Sequence, residues 1–217
     1  MGDVRAPVAA CYECHYRSSP LEEGVRPPSM LPRRIQTMTA AARVVLADCD
    51  WALSRHAEDL RFEALRVSWI SIVTLLRAVG HVLKKVDEVQ SPYLKDAIEA
   101  WWRELNRTKP EPAIYWRFID DERNSVLKQY KFGLKRWARA ESIENGSINA
   151  GVDVTRLRSD QVQLPGWMFT DGAIAGGPFV GQSDRAVAQQ AVAWWTQQLD
   201  AIDRESAKAR KAAAQHQ

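Results

Sequence analysis

Val67-Ser68-Trp69-Ile70-Ser71-Ile72-Val73-Thr74-Leu75-Leu76-Arg77-Ala78-Val79-Gly80-His81-Val82-Leu83 is the most apolar stretch of the chain. It is 17 residues long and carries Arg77 and His81. A helix that crosses a bilayer needs about 20 predominantly apolar residues, so the run is short and too polar for that task. Trp69, Ile70, Ile72, Val73, Leu76, Val79 and Leu83 cover more than one helical face. A helix that is apolar on most sides sits at the centre of a bundle. The reading is therefore a buried helix from about Asp59 to Val89 in a soluble, mainly α protein.

The flanking sequence fits that frame. Thr39 is placed to cap a helix to about His56, with Val44, Val45, Trp51 and Leu53 as its apolar residues. Ser91-Pro92 combines an N-cap with a proline at the first helical position, which predicts a third helix from Pro92 to Arg107. Lys109-Pro110-Glu111-Pro112 breaks it. A fourth helix is expected from about Pro112 to Ser142, with Tyr115, Ile119, Val126, Tyr130, Leu134 and Trp137 on its core face. Residues 143–182 then carry Asn145-Gly146, Pro165-Gly166, Asp171-Gly172 and Gly176-Gly177-Pro178, all turn signals. Asp171-Gly172, between Trp167–Thr170 and Ala173–Ala175, suggests a short hairpin. Ser183 caps a last helix to about Ala209. The expected architecture is a bundle of about five helices with a small β-hairpin or loop region between the fourth and last.

Three parts follow: a Pro-containing arm over residues 1–37, a helical domain over 38–213 with 143–182 as an insertion, and a fraying tail at 214–217. The 217 residues are 46% apolar and 26% charged, an ordinary globular composition. The net charge of +3 is too small to argue for a nucleic-acid partner by itself, so only its distribution can. No secretory pattern opens the chain, and a cytoplasmic location without membrane insertion is expected.

Cys11-Tyr12-Glu13-Cys14-His15 has the spacing of a c-type haem attachment site, and with Cys49 it could offer zinc four ligands. Haem attachment requires export and a pocket, neither of which this sequence advertises. Nothing in the spacing of Cys49 demands zinc. The reading is no metal and no cofactor.

Charge supplies two further candidates. Arg66, Arg77, His81 and Lys84 fall within roughly one face of the second helix. They form either a positive pocket, or a structural set in which the arginines pair with carboxylates such as Asp120, Asp121 or Glu122 and His81 is a core histidine. Downstream, Lys128, Lys131, Lys135 and Arg139 recur at helical spacing with Arg136 beside them. Such a ridge is suited to a phosphate backbone; equally, it reads as a solvated charged face.

The stretch Glu122-Arg123-Asn124-Ser125-Val126-Leu127-Lys128 resembles the motif of HEPN-domain proteins: Arg, a polar residue that is often Asn, a few residues, then His. Those are helical bundles of prokaryotic toxin–antitoxin, abortive-infection and CRISPR systems. The resemblance implies metal-independent RNA cleavage across a homodimer cleft, and a cognate antitoxin or other protein partner. It makes Arg123 the stabiliser of phosphorane charge and Asn124 its orienter. The His position is occupied by Lys128, and a lysine with an ordinary pKa near 10.4 is a cation rather than a base at neutral pH. His81 is the histidine that could approach in its place. The expected catalytic set is Arg123, Asn124, Lys128 and His81, with Lys131, Lys135, Arg136, Arg139 and Arg77 binding RNA. A non-catalytic helical interaction module, docking a protein through Trp-rich helices, is the alternative.

Overall fold

The computed structural model describes residues 37–56, 62–142, 146–152, 167–169 and 172–215. For residues 62, 136–142, 146–152 and 167–169 it describes the backbone alone. Cys11, Cys14, His15 and the rest of the N-terminal arm to residue 36 lie outside the described residues.

The chain is mainly α, with five α-helices among the described residues and a small antiparallel sheet between the fourth and the last. The helices are α1 (Ala40–Ser54), α2 (Phe62–Val82), α3 (Pro92–Arg107), α4 (Asp121–Gln129) and α5 (Asp184–Gln215). Helix α2 runs on through a π-helical turn, Leu83–Asp87, and a 3-10 turn, Glu88–Gln90. A π-helical segment, Ile114–Asp120, leads directly into α4.

The apolar run behaves as a central helix. Trp69, Ile72, Val73, Leu76, Val79 and Leu83 are fully buried among the other helices. The stretch Glu63–Gln90 is long and apolar enough to cross a membrane by length and composition. Part of that apolar surface packs against α1, α4 and α5, while Val67, Val86 and Val89 stay exposed. Indole donors pin the packing: Trp195 Nε1 donates to the Leu76 carbonyl at 2.8 Å, Trp116 Nε1 to that of Leu105 at 3.2 Å, and Trp101 Nε1 to Gln198 Oε1 at 3.0 Å. A buried indole N–H without such a partner is costly, so these bonds fix helix register as well as distance.

The start of α1 is satisfied differently from expectation. Thr39 precedes the helix, but its side chain makes no capping bond. Its hydroxyl and its amide instead bond Asp203 of α5, each at 3.0 Å. The first-turn amides of Ala41 and Ala42 donate to the buried Asp87 carboxylate at 3.0 and 2.9 Å. A carboxylate from another element thus does the work of an N-cap, favoured by the positive end of the helix dipole.

The fourth helix is shorter than the periodicity predicts. It ends at Gln129, and Tyr130 follows in the left-handed region with φ 51°. Leu134–Ser142 is a strand, β1, whose antiparallel partner is β2 (Gly146–Val152). The helical spacing of Lys131, Lys135 and Arg139 was coincidental, since pairing with a segment further along the chain overrides a weak local preference. Tyr130 is not on a core face; it is 62% exposed.

The expected hairpin at Asp171-Gly172 is also corrected. β3 (Trp167–Phe169) and β4 (Ala173–Ile174) do not pair with each other; both run antiparallel to β1. Ala138 faces Phe169, and Lys135 faces Ala173. The Gly172 carbonyl accepts the Asp184 amide at 3.1 Å, bringing this strand against the start of α5. The approach leaves no room for a side chain, because a Cβ at Gly172 would run into the Asp184 carboxylate.

Candidate functional site

Arg77 projects from α2 toward the junction between the π-helical segment and α4. Its Nε donates to Asp120 Oδ1 at 2.8 Å. Asp120 Oδ2 accepts the Asn124 side-chain amide at 3.3 Å, and Asn124 Oδ1 accepts Arg123 Nη1 at 3.0 Å. The four side chains form one line, Arg77–Asp120–Asn124–Arg123. Asn124 thus bridges Asp120 and Arg123.

Asp120 bonds Arg77 directly and reaches Arg123 only through Asn124. Of the acidic residues beside Arg123, Glu122 turns inward, where its Oε1 accepts Trp69 Nε1 at 2.8 Å and the Gly133 amide at 2.9 Å. Asp121 pairs with Arg117 at 4.0 Å on the surface. Arg123 has no carboxylate partner among the described residues. It is half-buried, and its Nη1 donates to the side-chain oxygen of Asn124.

His81 stands beside this line rather than in the core, and is exposed. Its pKa is lowered from the ordinary 6.5, first by partial burial and then by the charges of Arg77 and Arg123. Lys85 acts in the same direction, and Asp120 opposes. The imidazole is therefore neutral at pH 7 and able to accept a proton. Beneath them lies Tyr115, whose ring is 5.8 Å from the Arg77 guanidinium carbon. Its hydroxyl is buried with no hydrogen-bond partner among the described residues, and burial pushes its pKa up to about 12.

The other expected residues divide. Lys128 is exposed, five positions after Arg123 on the same helix. At about 100° per residue it points some 140° away, so it does not share Arg123's direction. Lys131 lies in the loop after α4 and Lys135 is the second residue of β1; both are exposed. Arg136 and Arg139 are β1 residues opposite Val152 and Asn149, and their side chains lie outside the description. Arg66 is buried, with Glu63 at 3.8 Å, one turn earlier on α2. Lys84 sits over the Trp102 ring at 5.4 Å. Cys49 is fully buried, and burial, aided by the charge of Asp50, pushes its thiol up to about 12, so it remains an inert core residue. No group of metal-ligating side chains forms among the described residues.

One polar constellation escaped the sequence reading. His56, buried at the end of α1, bonds Ser68 Oγ through Nδ1 at 2.9 Å and Asp184 Oδ2 through Nε2 at 3.2 Å. The two links span 12 and 128 residues of chain, so no local spacing could have announced them. They join α1, α2 and the first residue of α5 under the Trp69 ring, whose centroid is 5.7 Å away.

No protein-family model matches the chain, and neither a curated protein nor a solved structure is detectably similar to it.

Proposed function

We propose that this chain is a HEPN-like RNA-acting protein that cleaves RNA without a metal, using His81 in place of the motif histidine that Lys128 replaces. The observation that carries the reading is Arg123: a guanidinium with no carboxylate partner among the described residues, held by Asn124 near an imidazole kept neutral. RNA brings its own nucleophile, so such a site need only move a proton and hold charge. His81 takes the proton of a ribose 2′-hydroxyl, and Arg123, with Arg77 behind it, stabilises the charge on the phosphorane oxygens. The O2′–P bond forms, the P–O5′ bond breaks, and the leaving oxygen takes a proton from solvent. Lys128, Lys131 and Lys135 bind the backbone further along. The reading carries with it a homodimer, a cognate antitoxin as partner, and a cytoplasmic defence or toxin–antitoxin setting.

The test is RNA degradation by wild type, Arg123→Ala, His81→Ala and Lys128→Ala. Expected is loss of at least about tenfold for the first two, since a positioned acid–base group contributes about 10²–10⁴, and near-wild-type cleavage for Lys128→Ala. Equal, negligible cleavage by all four proteins removes the nuclease reading.

A protein-docking role rests on a different feature. Trp51 and Val44 on α1 are 64% and 62% exposed, large apolar groups that the fold does not bury. Sedimentation of wild type and Trp51→Ser tests it; identical mass distributions at all concentrations leave no role for this face in self-association.

A further inference from the structure

The segment after α4 departs from what a helix end requires. Tyr130 occupies the left-handed position, φ 51° and ψ 36°, where glycine or asparagine is usual because a Cβ is crowded there. It is not buried in return. The ring is 62% exposed and touches Phe132 edge-on, with centroids 5.1 Å apart. Phe132 itself is buried, 7% exposed, and anchors the ring.

The loop is tied back to α4 by hydrogen bonds. The Tyr130 amide donates to the Val126 carbonyl at 3.0 Å and the Lys131 amide to that of Ser125 at 3.2 Å. Gly133 is clamped by the Glu122 carboxylate, against which a Cβ would collide. Within five residues of Tyr130 along the chain stand Lys128, Lys131 and Lys135, all exposed, none with an ion-pair partner among the described residues. An exposed aromatic ring on a hydrogen-bonded loop, with three exposed lysines close by in the chain, is the composition of a single-strand platform: the cations follow the phosphates and the ring stacks an unpaired base.

We propose that Tyr130 is a base-stacking platform for single-stranded RNA, with Lys128, Lys131 and Lys135 as its phosphate contacts. The inference rests on the RNA reading above and specifies the substrate as unpaired rather than duplex. It also accounts for a tyrosine where glycine would relieve the backbone: the ring is kept for what it binds.

The test measures binding of a fluorescein-labelled 12-nucleotide single-stranded RNA, and of the same sequence as a duplex. The full chain carries His81→Ala so that the probe survives. Tyr130→Ala is expected to weaken single-strand binding roughly five- to tenfold, the lower part of the range for one stacked base, and Tyr130→Phe to preserve it. Tyr130→Gly loses the edge contact with Phe132 but relieves the backbone. Its Tm should stay within about 3 °C of the parent while its affinity falls like that of the alanine variant. Lys131→Glu with Lys135→Glu should weaken binding and flatten its salt dependence. Unchanged affinity in Tyr130→Ala, or duplex bound as tightly as single strand, overturns the platform and leaves the cleavage reading standing. A parent that binds neither RNA form overturns the platform, and wild-type cleavage then decides the nuclease reading separately.

Discussion

The indole nitrogen of Trp69 lies 2.8 Å from Glu122 Oε1, and through that bond the central helix holds the first turn of α4. The same oxygen takes the Gly133 amide, so one carboxylate fixes both the helix and the loop beyond it. Its pKa is raised above the ordinary 4.5 by burial, against the opposing pull of these two bonds. A carboxyl raised in the folded state contributes most stability below its unfolded value and loses it as pH rises through the folded value. At neutral pH the ionised group is therefore a cost, and the bonds need an oxygen rather than a charge. Glu122→Gln should match or exceed wild-type stability at pH 7 and flatten the fall in stability between pH 4 and 7. Glu122→Ala, which orphans both donors, should lose about 2 kcal/mol. Urea denaturation across that range checks both; a glutamine variant markedly weaker than wild type at pH 7 would show the charge to be needed.

Asp87 makes the complementary case at the other end of α2. It accepts the amides of Ala41 and Ala42 and the Gln90 side chain, yet burial still raises its pKa from the ordinary 3.8. Asp87→Ala should destabilise by about 2 kcal/mol, because α1 loses both partners of its first turn. Asp87→Asn should fall between, since its amide nitrogen meets a backbone N–H where an oxygen was. Thr39→Val should act through Asp203 instead. The denaturation midpoints of the three variants give the order, and an Asp87→Ala midpoint equal to wild type would dismiss the borrowed cap.

Helices α1, α2, α3 and α5 were legible because each shows a 3.6-residue apolar period with clear stops: Ser91-Pro92, Lys109-Pro110 and Ser183. The end of α4 was not. Only Gly133 interrupts the pattern, and what makes Leu134–Ser142 a strand is its pairing with Gly146–Val152. In the candidate site, the Arg77–Asp120 pair and the approach of His81 to Arg123 could be foreseen from residue types. That His81 lies outside the core and that Lys128 turns away from Arg123 depend on helix phase. Tyr130 read as a core residue because its spacing from Val126 is helical, and the helix ends one residue before it.

His81 gives the proposed chemistry a pH signature. Its pKa is depressed, so the neutral base is present at pH 7 and is lost only as pH falls below the ordinary histidine range. Cleavage should rise from acid pH, with an apparent pKa below 6.5, to a plateau at neutrality. Arg123→Gln removes a lowering charge and should shift that limb upward, apart from its loss of rate. Asp120→Asn removes the one raising charge and should shift it downward. The pH–rate profiles of the three proteins decide the matter: a common limb in all would mean that His81 is not the titrating base.

Gly172 and Gly176 separate close approach from ordinary loop flexibility. A Cβ at Gly172 meets the carboxylate of Asp184, the group that holds His56, whereas a Cβ at Gly176 meets nothing within 4 Å. Asp184 and His56 are both buried, so the carboxylate cannot swing into water without abandoning the imidazole. Gly172→Ala should therefore cost about 2 kcal/mol through forced displacement. Gly176→Ala, with φ −164° and open space, should change stability by less than about 0.5 kcal/mol. Removing the obstruction offers a further check. In a background of Asp184→Ser, where the side chain is shorter, the added cost of Gly172→Ala should shrink. The double-mutant cycle reads that coupling directly, and strict additivity would mean that the alanine is accommodated without touching Asp184.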